Sequence, residues 1–149
     1  MGTFHVNCRI ENHAHRSLSA EVPKILVDTG SECTWVSAET LRRLRVRVEK
    51  KDMTFVMANG ATLTRSVGFA VIRIGEHVTI DEVVFGQEGD IEILGARTLE
   101  GLNLVVDPTR KRLVAGGPVP AAPNGQRQAH LTLARTTVAQ LADETRAQL

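Results

Sequence analysis

From Phe4 to Ile10 the apolar residues Phe4, Val6, Cys8 and Ile10 alternate with His5, Asn7 and Arg9, the period of a strand with one buried face. The polar stretch Glu11 to Ser17 predicts a turn, and Leu18 to Val27 a second strand in which Pro23 marks an edge or an irregular section. Thr34-Trp35-Val36 reads as a short strand. Ser37 then has the chemistry of a helix cap, Glu39 lies near the helix start, and Leu41 and Leu44 share a face. Together they predict a helix of about two turns that ends near Arg45. Met53 to Thr64 forms two strand-like runs around Asn59-Gly60, the strongest short hairpin signal a sequence carries. Val67 to Ile74 and Val78 to Phe85 continue the strand pattern on either side of Gly75-Glu76-His77, and Ile91 to Leu94 is a further strand that stops at Gly95. Arg97 to Leu102 predicts a short helix. Leu104 to Asp107 and Arg112 to Val114 predict a closing hairpin across Pro108-Thr109.

The pattern changes at Gly116, where ten residues rich in Gly, Pro and Ala begin. The expected organisation is a compact mostly β domain over 1–115, a linker over 116–125 and a tail over 126–149. In the tail Leu131, Ala134, Val138, Leu141 and Leu149 stand at near-helical spacing, compatible with an amphipathic helix or with disorder. A chain of 149 residues with 42% hydrophobic content is long enough for one real core and too short for two full domains.

Charge and cysteine usage narrow the function classes. Net charge is +1, with cations scattered among anions, so neither a nucleic-acid nor a membrane partner is expected. No apolar run approaches the roughly 18 to 20 residues of a membrane span, and Met1 to His5 lacks the regions of a signal peptide, which points to a cytoplasmic chain. Cys8 and Cys33 make no disulfide framework and no zinc spacing and are expected to be reduced, largely buried thiols. His13 and His15 read as part of a solvated turn. No metal and no cofactor are expected.

The chemistry concentrates at Leu26-Val27-Asp28-Thr29-Gly30-Ser31, where an apolar strand ends in one carboxylate on a tight turn that Gly30 permits. One carboxylate there would be an ordinary ionised side chain, whereas two sharing a site cannot both ionise and become an acid and a base together. The sequence holds no second Asp-Thr-Gly or Asp-Ser-Gly.

Three features in this order resemble the retroviral-type, retropepsin-like aspartic proteases: Leu26 to Ser31, the hairpin of Met53 to Thr64 with Gly near its tip, and Ile93-Leu94-Gly95 before a short helix. The resemblance covers Phe4 to Val114 and implies a closed β-barrel, one acid-protease half-lobe with one or two short helices. It implies that Asp28 is the catalytic carboxylate, that Thr29 braces two active-site loops, and that the Gly30 backbone approaches substrate. Ser31 is implied to hydrogen-bond beside Asp28, and Glu32 to touch the substrate backbone. Met57, Ala58, Asn59, Gly60 and Ala61 would be the flap over an extended peptide, and Leu94 and Gly95 part of the loop packed behind Asp28. Apolar pockets would draw on Trp35, Val56, Met57, Val84 and Ile93. Viral members place Arg directly after the Gly of that loop, to pair with the acidic residue; here Ala96 follows and Arg97 comes one later, so the resemblance does not carry a Glu32–Arg97 pair over. A single motif per chain implies a homodimer with the site at a twofold interface. The expected function is thus aspartic endopeptidase, the alternative a non-catalytic peptide-binding or dimerisation module on the same fold.

Overall fold

The computed structural model describes residues 3–122. Contacts divide the chain into a compact unit, Met1–Gly116, and a second, Gly117–Leu149; the expected tail helix lies outside the described residues. The elements of the first unit are β1 (His5–Glu11), β2 (Ser19–Val27), β3 (Thr34–Ser37), α1 (Ala38–Arg43), β4 (Lys50–Val56), β5 (Thr62–Ile74), β6 (His77–Gly86), β7 (Ile93–Leu94), α2 (Ala96–Leu102), β8 (Leu104–Asp107) and β9 (Arg112–Ala115).

Seven strands form one sheet in the order β1-β2-β7-β3-β6-β5-β4. Arg9, Ile10 and Glu11 of β1 also pair with Arg73, Ile72 and Val71 of β5. That pairing brings the sheet back on itself as a partly closed barrel, with β4 an outlying strand on β5. Alternation is what fills the interior: Cys8, Ile10, Val22, Ile25 and Val27 point inward with Ile72, Val83, Phe85 and Leu94, together with Leu41 of α1, Leu44 at its C-terminal cap, and Leu99 and Leu102 of α2. β8 and β9 form a separate two-stranded ribbon.

Three local expectations are refined. Pro23 falls at a bulge of β2, where the pairing shifts between Val6–Ile25 and Cys8–Val22 and Lys24 takes a φ of 58°; the missing Pro N–H is tolerated because the ladder is already interrupted there. The strand expected over Ile91 to Leu94 shrinks to Ile93–Leu94, with Ile91 64% exposed. The stretch from Glu11 to Ser17 is not simply a solvated turn, since Glu11 and Asn12 are buried. Burial alone would raise the Glu11 carboxyl; hydrogen bonds from Arg16 and Arg73, aided by their charges, hold it below its usual range instead.

Candidate active site

β2 stops at Val27 and β3 starts at Thr34, with β7 lying between them. It runs parallel to β2 through Leu26–Ile93 and Val27–Leu94, and antiparallel to β3 through Trp35–Ile93. Residues 28–33 therefore cross over the end of β7, and their backbone groups must find partners at the end of that strand and the start of α2. They do. The Asp28 N–H donates to the Leu94 carbonyl at 3.1 Å, the Ala96 N–H to Ser31 O at 2.8 Å and the Arg97 N–H to Glu32 O at 3.1 Å. The last two are opening N–H groups of α2, which have no acceptor within their own helix.

Inside this clamp the Asp28 Oδ1 accepts the Gly30 N–H at 2.9 Å, while its second carboxylate oxygen has no partner among the described residues. A Cβ on residue 30 would sit 3.2 Å from Oδ1, a tight contact that a shift of the carboxylate by a few tenths of an ångström would relieve, and Gly30 is not in the left-handed region. Asp28 is half-buried, and Thr29 and Gly30 are exposed. Gly95 is more tightly constrained, since a Cβ there would lie 2.4 Å from the Cys33 carbonyl oxygen.

Behind the turn runs a polar relay with no signal in the motif itself. The Gly95 N–H donates to Thr34 Oγ1 at 3.0 Å, Thr34 and Thr98 share a 2.6 Å hydrogen bond, and the Thr98 hydroxyl donates to Asp81 Oδ2 at 2.8 Å. Because the Thr98 proton is committed to a carboxylate, Thr34 must be the donor between the two hydroxyls. Both threonines are fully buried, so each link replaces water rather than competing with it.

Two implied details come out differently. The Ser31 hydroxyl donates to the Cys33 carbonyl at 2.8 Å rather than to the Asp28 carboxylate, a local side-chain to backbone bond two residues along the chain. The one-residue displacement of Arg97 does not prevent its pairing with Glu32, Nη2 to Oε2 at 3.3 Å; its backbone bond to the Glu32 carbonyl brings the two side chains alongside. With 51% and 79% of these side chains exposed, the pair adds little stability.

The flap expectation lands on the hairpin of β4 and β5. Met57 and Ala61 close the tip through Met57 N–H to Ala61 O at 2.8 Å, the Gly60 N–H returns to Met57 O at 2.8 Å, and Asn59 Oδ1 accepts the Ala61 N–H at 2.9 Å. Gly60 has φ 84°, the left-handed region that glycine occupies at least cost. Met57, Ala58, Asn59, Gly60 and Ala61 are all exposed. At its root the hairpin joins the active-site strands: Met53, Phe55 and Leu63 pack with Trp35, Val67, Val84, Cys33 and Ile93 in a second apolar cluster. Trp35 and Phe55 meet edge to face at 5.2 Å between centroids. This corrects the pocket expectation for Trp35 and Val84, which are 6% and 0% exposed and serve as packing beneath the hairpin. Val56 and Met57 do face outward, at 73% and 38%.

Residues 17–101 match the model of a family described as gag-polyprotein putative aspartyl protease. The chain belongs to that family. Among curated proteins none matches it. The matched span of this aspartyl-protease family member takes in the Asp28 turn, the β4–β5 hairpin and the Leu94-Gly95 loop, and stops within α2.

Beside the Asp28 turn a depression of about 190 Å³ is lined by Thr3, Phe4, Val27, Asp28, Thr29, Val106 and Pro108, so the β8–β9 ribbon and the N-terminal strand border the carboxylate. A further pair that motif reasoning missed is Arg65–Asp90, a two-pronged bond of 2.7 and 3.0 Å. It ties the hairpin strand β5 to the loop after β6, and neither residue carries a sequence signal beyond opposite charge. The Arg65 hydrogen bond, working against burial and helped by the Gln87 N–H, holds the Asp90 carboxyl below its usual range. Cys33 is half-buried, which corrects the expectation of a largely buried thiol. Cys8 fits it, at 1% exposure. No three His, Cys, Asp or Glu side chains converge among the described residues.

Proposed function

We propose that the chain is an aspartic endopeptidase that acts as a homodimer in the cytoplasm, each copy giving one Asp28 to a shared site. The observation that carries this reading is the Asp28 turn itself: a half-buried carboxylate with one oxygen held by the Gly30 N–H and the other without a partner among the described residues, on a turn clamped from behind by Leu94, Ala96 and Arg97. A turn fixed this rigidly, with Thr29 exposed and a depression opening beside it, is suited to meeting its own twofold copy. The free thiols Cys8 and Cys33 suit a reducing compartment.

In such a pair the two carboxylates share one proton, because both cannot ionise at close range; aspartic proteases are the standard instance of this effect. The ionised member takes a proton from a water between them, and the protonated one donates to the scissile carbonyl as the water attacks. The proton returned to the departing amine completes hydrolysis. The β4–β5 hairpin would close over an extended peptide and exclude bulk water.

The test is cleavage of a library of quenched fluorescent peptides by the purified chain and by Asp28→Asn. The expected result is loss of cleavage in the variant, and a wild-type rate that falls faster than linearly on dilution. After random re-pairing of equal amounts of the two proteins, roughly a quarter of all dimers should be wild-type in both subunits, so activity should fall to about half that of the wild-type protein before mixing. Cleavage that survives the substitution, or cleavage by a strictly monomeric species in sedimentation, would refute the reading. An inactive dimer that still holds extended peptides would identify the chain as a binding module.

A further inference from the structure

Residues 42–51 hold six cations and one anion, net +5, so the rest of a chain whose total is +1 carries −4. Sequence order alone hides how this charge is displayed. α1 ends in a left-handed turn, with the Arg45 N–H on the Arg42 carbonyl and the Val46 N–H on the Leu41 carbonyl, both at 2.9 Å. Leu41 and Val46 are buried against each other's surroundings at 0% and 7% exposure. This is the glycine-type helix stop, yet the left-handed residue, with φ 58°, is Arg45. An arginine is held where glycine would be easier, and its side chain is exposed.

The strap after α1 is fixed on both sides. The Glu49 N–H donates to the Val67 carbonyl at 2.8 Å. The Arg47 carbonyl lies so near Gly68 that a Cβ there would come within 2.4 Å. The Asn12 amide donates to the Leu44 and Arg45 carbonyls at 2.8 and 3.0 Å. Leu44 and Val46 face the core while Arg45 and Arg47 face solvent beside Arg42 and Arg43. None of these four arginines has an ion-pair partner among the described residues, whereas Arg9, Arg16, Arg65, Arg73 and Arg97 all hold carboxylates.

We propose that Arg42, Arg43, Arg45 and Arg47 form a docking surface for an acidic, extended segment of the polypeptide substrate, outside the stretch held at Asp28. The proposal rests on the protease reading for the role of that segment, not for its binding. Arg45 and Arg47 flank the buried Val46 and their Cα atoms lie at most about 7 Å apart, within the spacing of alternate carboxylates of an extended chain. Their guanidinium forks suit carboxylates bidentately. The strap leads into β4, whose pairing shifts between Lys50 and Met53 where Asp52 takes a φ of 53°, so from Arg47 to Met57 the chain spans less than about 35 Å, an upper limit of roughly ten extended substrate residues. Single-stranded nucleic acid is the weaker fit, because successive bases stack on several aromatic side chains: the chain has no Tyr, its one Trp is buried, and of its four Phe only Phe69, at 37%, is exposed. A membrane is weaker too, with Val48, 40% exposed, the one large exposed apolar residue on the strap.

The test uses the full chain and a labelled probe peptide with glutamate at alternate positions, followed by fluorescence anisotropy at low and high salt. Binding should weaken about threefold for each arginine removed, and on the order of eightyfold in the variant with all four replaced by Gln. Arg45→Gly guards against misfolding, since glycine suits that left-handed position; it should keep the thermal midpoint of the wild type while weakening the probe about threefold. Equal affinity for wild type and both variants overturns the proposal. So does a duplex DNA of equal charge that outcompetes the peptide. With a cleavable substrate carrying glutamates about ten residues from the scissile bond, the arginine variants should raise KM and leave kcat unchanged. Probe binding through the arginines by a chain that cuts no peptide would leave the surface standing and sink only the protease reading.

Discussion

Thr34→Val tests whether the buried relay behind Asp28 holds the turn in place. The substitution keeps shape and removes one hydroxyl, which in the native protein accepts the Gly95 N–H at 3.0 Å and donates to Thr98 at 2.6 Å. With Thr34 at 0% exposure, no water replaces it. The Gly95 N–H is left without an acceptor, a cost of about 1–3 kcal/mol, and Thr98 keeps only its bond to Asp81. A loss of about 2 kcal/mol corresponds to a thermal midpoint lower by about 10 °C for a domain of this size. Thr34→Ser keeps the hydroxyl and loses a methyl, which should cost about 1 kcal/mol. The assay is urea unfolding at one fixed protein concentration, because the proposed dimer would make apparent stability depend on concentration, with amide hydrogen exchange at Gly95 as the local readout. Thr34→Val should be the less stable of the two variants and should lose protection at Gly95. If it is as stable as Thr34→Ser, with Gly95 still protected, the relay does not support the turn and its assigned role is refuted. A cycle with Thr98→Val should show coupling between the two sites, since they share one hydrogen bond.

Charge and burial lead to two further outcomes. Asp90 is held below the usual carboxylate range mainly by the Arg65 hydrogen bond, so its folded value lies below its unfolded one. The stabilisation is therefore complete above about pH 4 to 5 and is lost as pH falls through the lower, folded value. Arg65→Ala should destabilise by about 2 kcal/mol at pH 7 and much less near pH 2; unfolding curves at the two pH values check it, and an equal loss at both would contradict it. Burial, reinforced by the charges of Glu92 and Glu21, pushes the Cys8 thiol up to about 12, while Cys33 is raised too but half-exposed. Iodoacetamide at pH 8 should label native Cys33 well before Cys8, with both labelled in denaturant; mass spectrometry showing Cys8 modified as fast as Cys33 would overturn the assignment.

How much of the fold and site was legible in the sequence depended on how local the cause was. The hairpin of β4 and β5 could be read from Asn59-Gly60, and the α1 start from Ser37, whose hydroxyl accepts the Thr40 N–H at 3.2 Å, because both are set by a few adjacent residues. Asp28 stood out because strand, carboxylate and glycine come one after another in the chain. The insertion of β7 between β2 and β3 was not legible. Ile93 and Leu94 gain their partners only after two strands more than fifty residues earlier are in place, and no period can be read from two residues. The relay was hidden for the same reason: Thr34 and Thr98 look like ordinary strand and helix residues, and their hydroxyls acquire a purpose only when the crossover of residues 28–33 leaves the Gly95 N–H buried. A turn forced to bridge two strands over a third exposes more backbone donors than its own residues can satisfy. The polar residues that supply the deficit must therefore come from elsewhere in the chain, here from β3, β6 and α2. Where a turn that presents a candidate catalytic carboxylate is built by such a crossover, its support is dispersed in sequence even though the motif itself is concentrated in three residues.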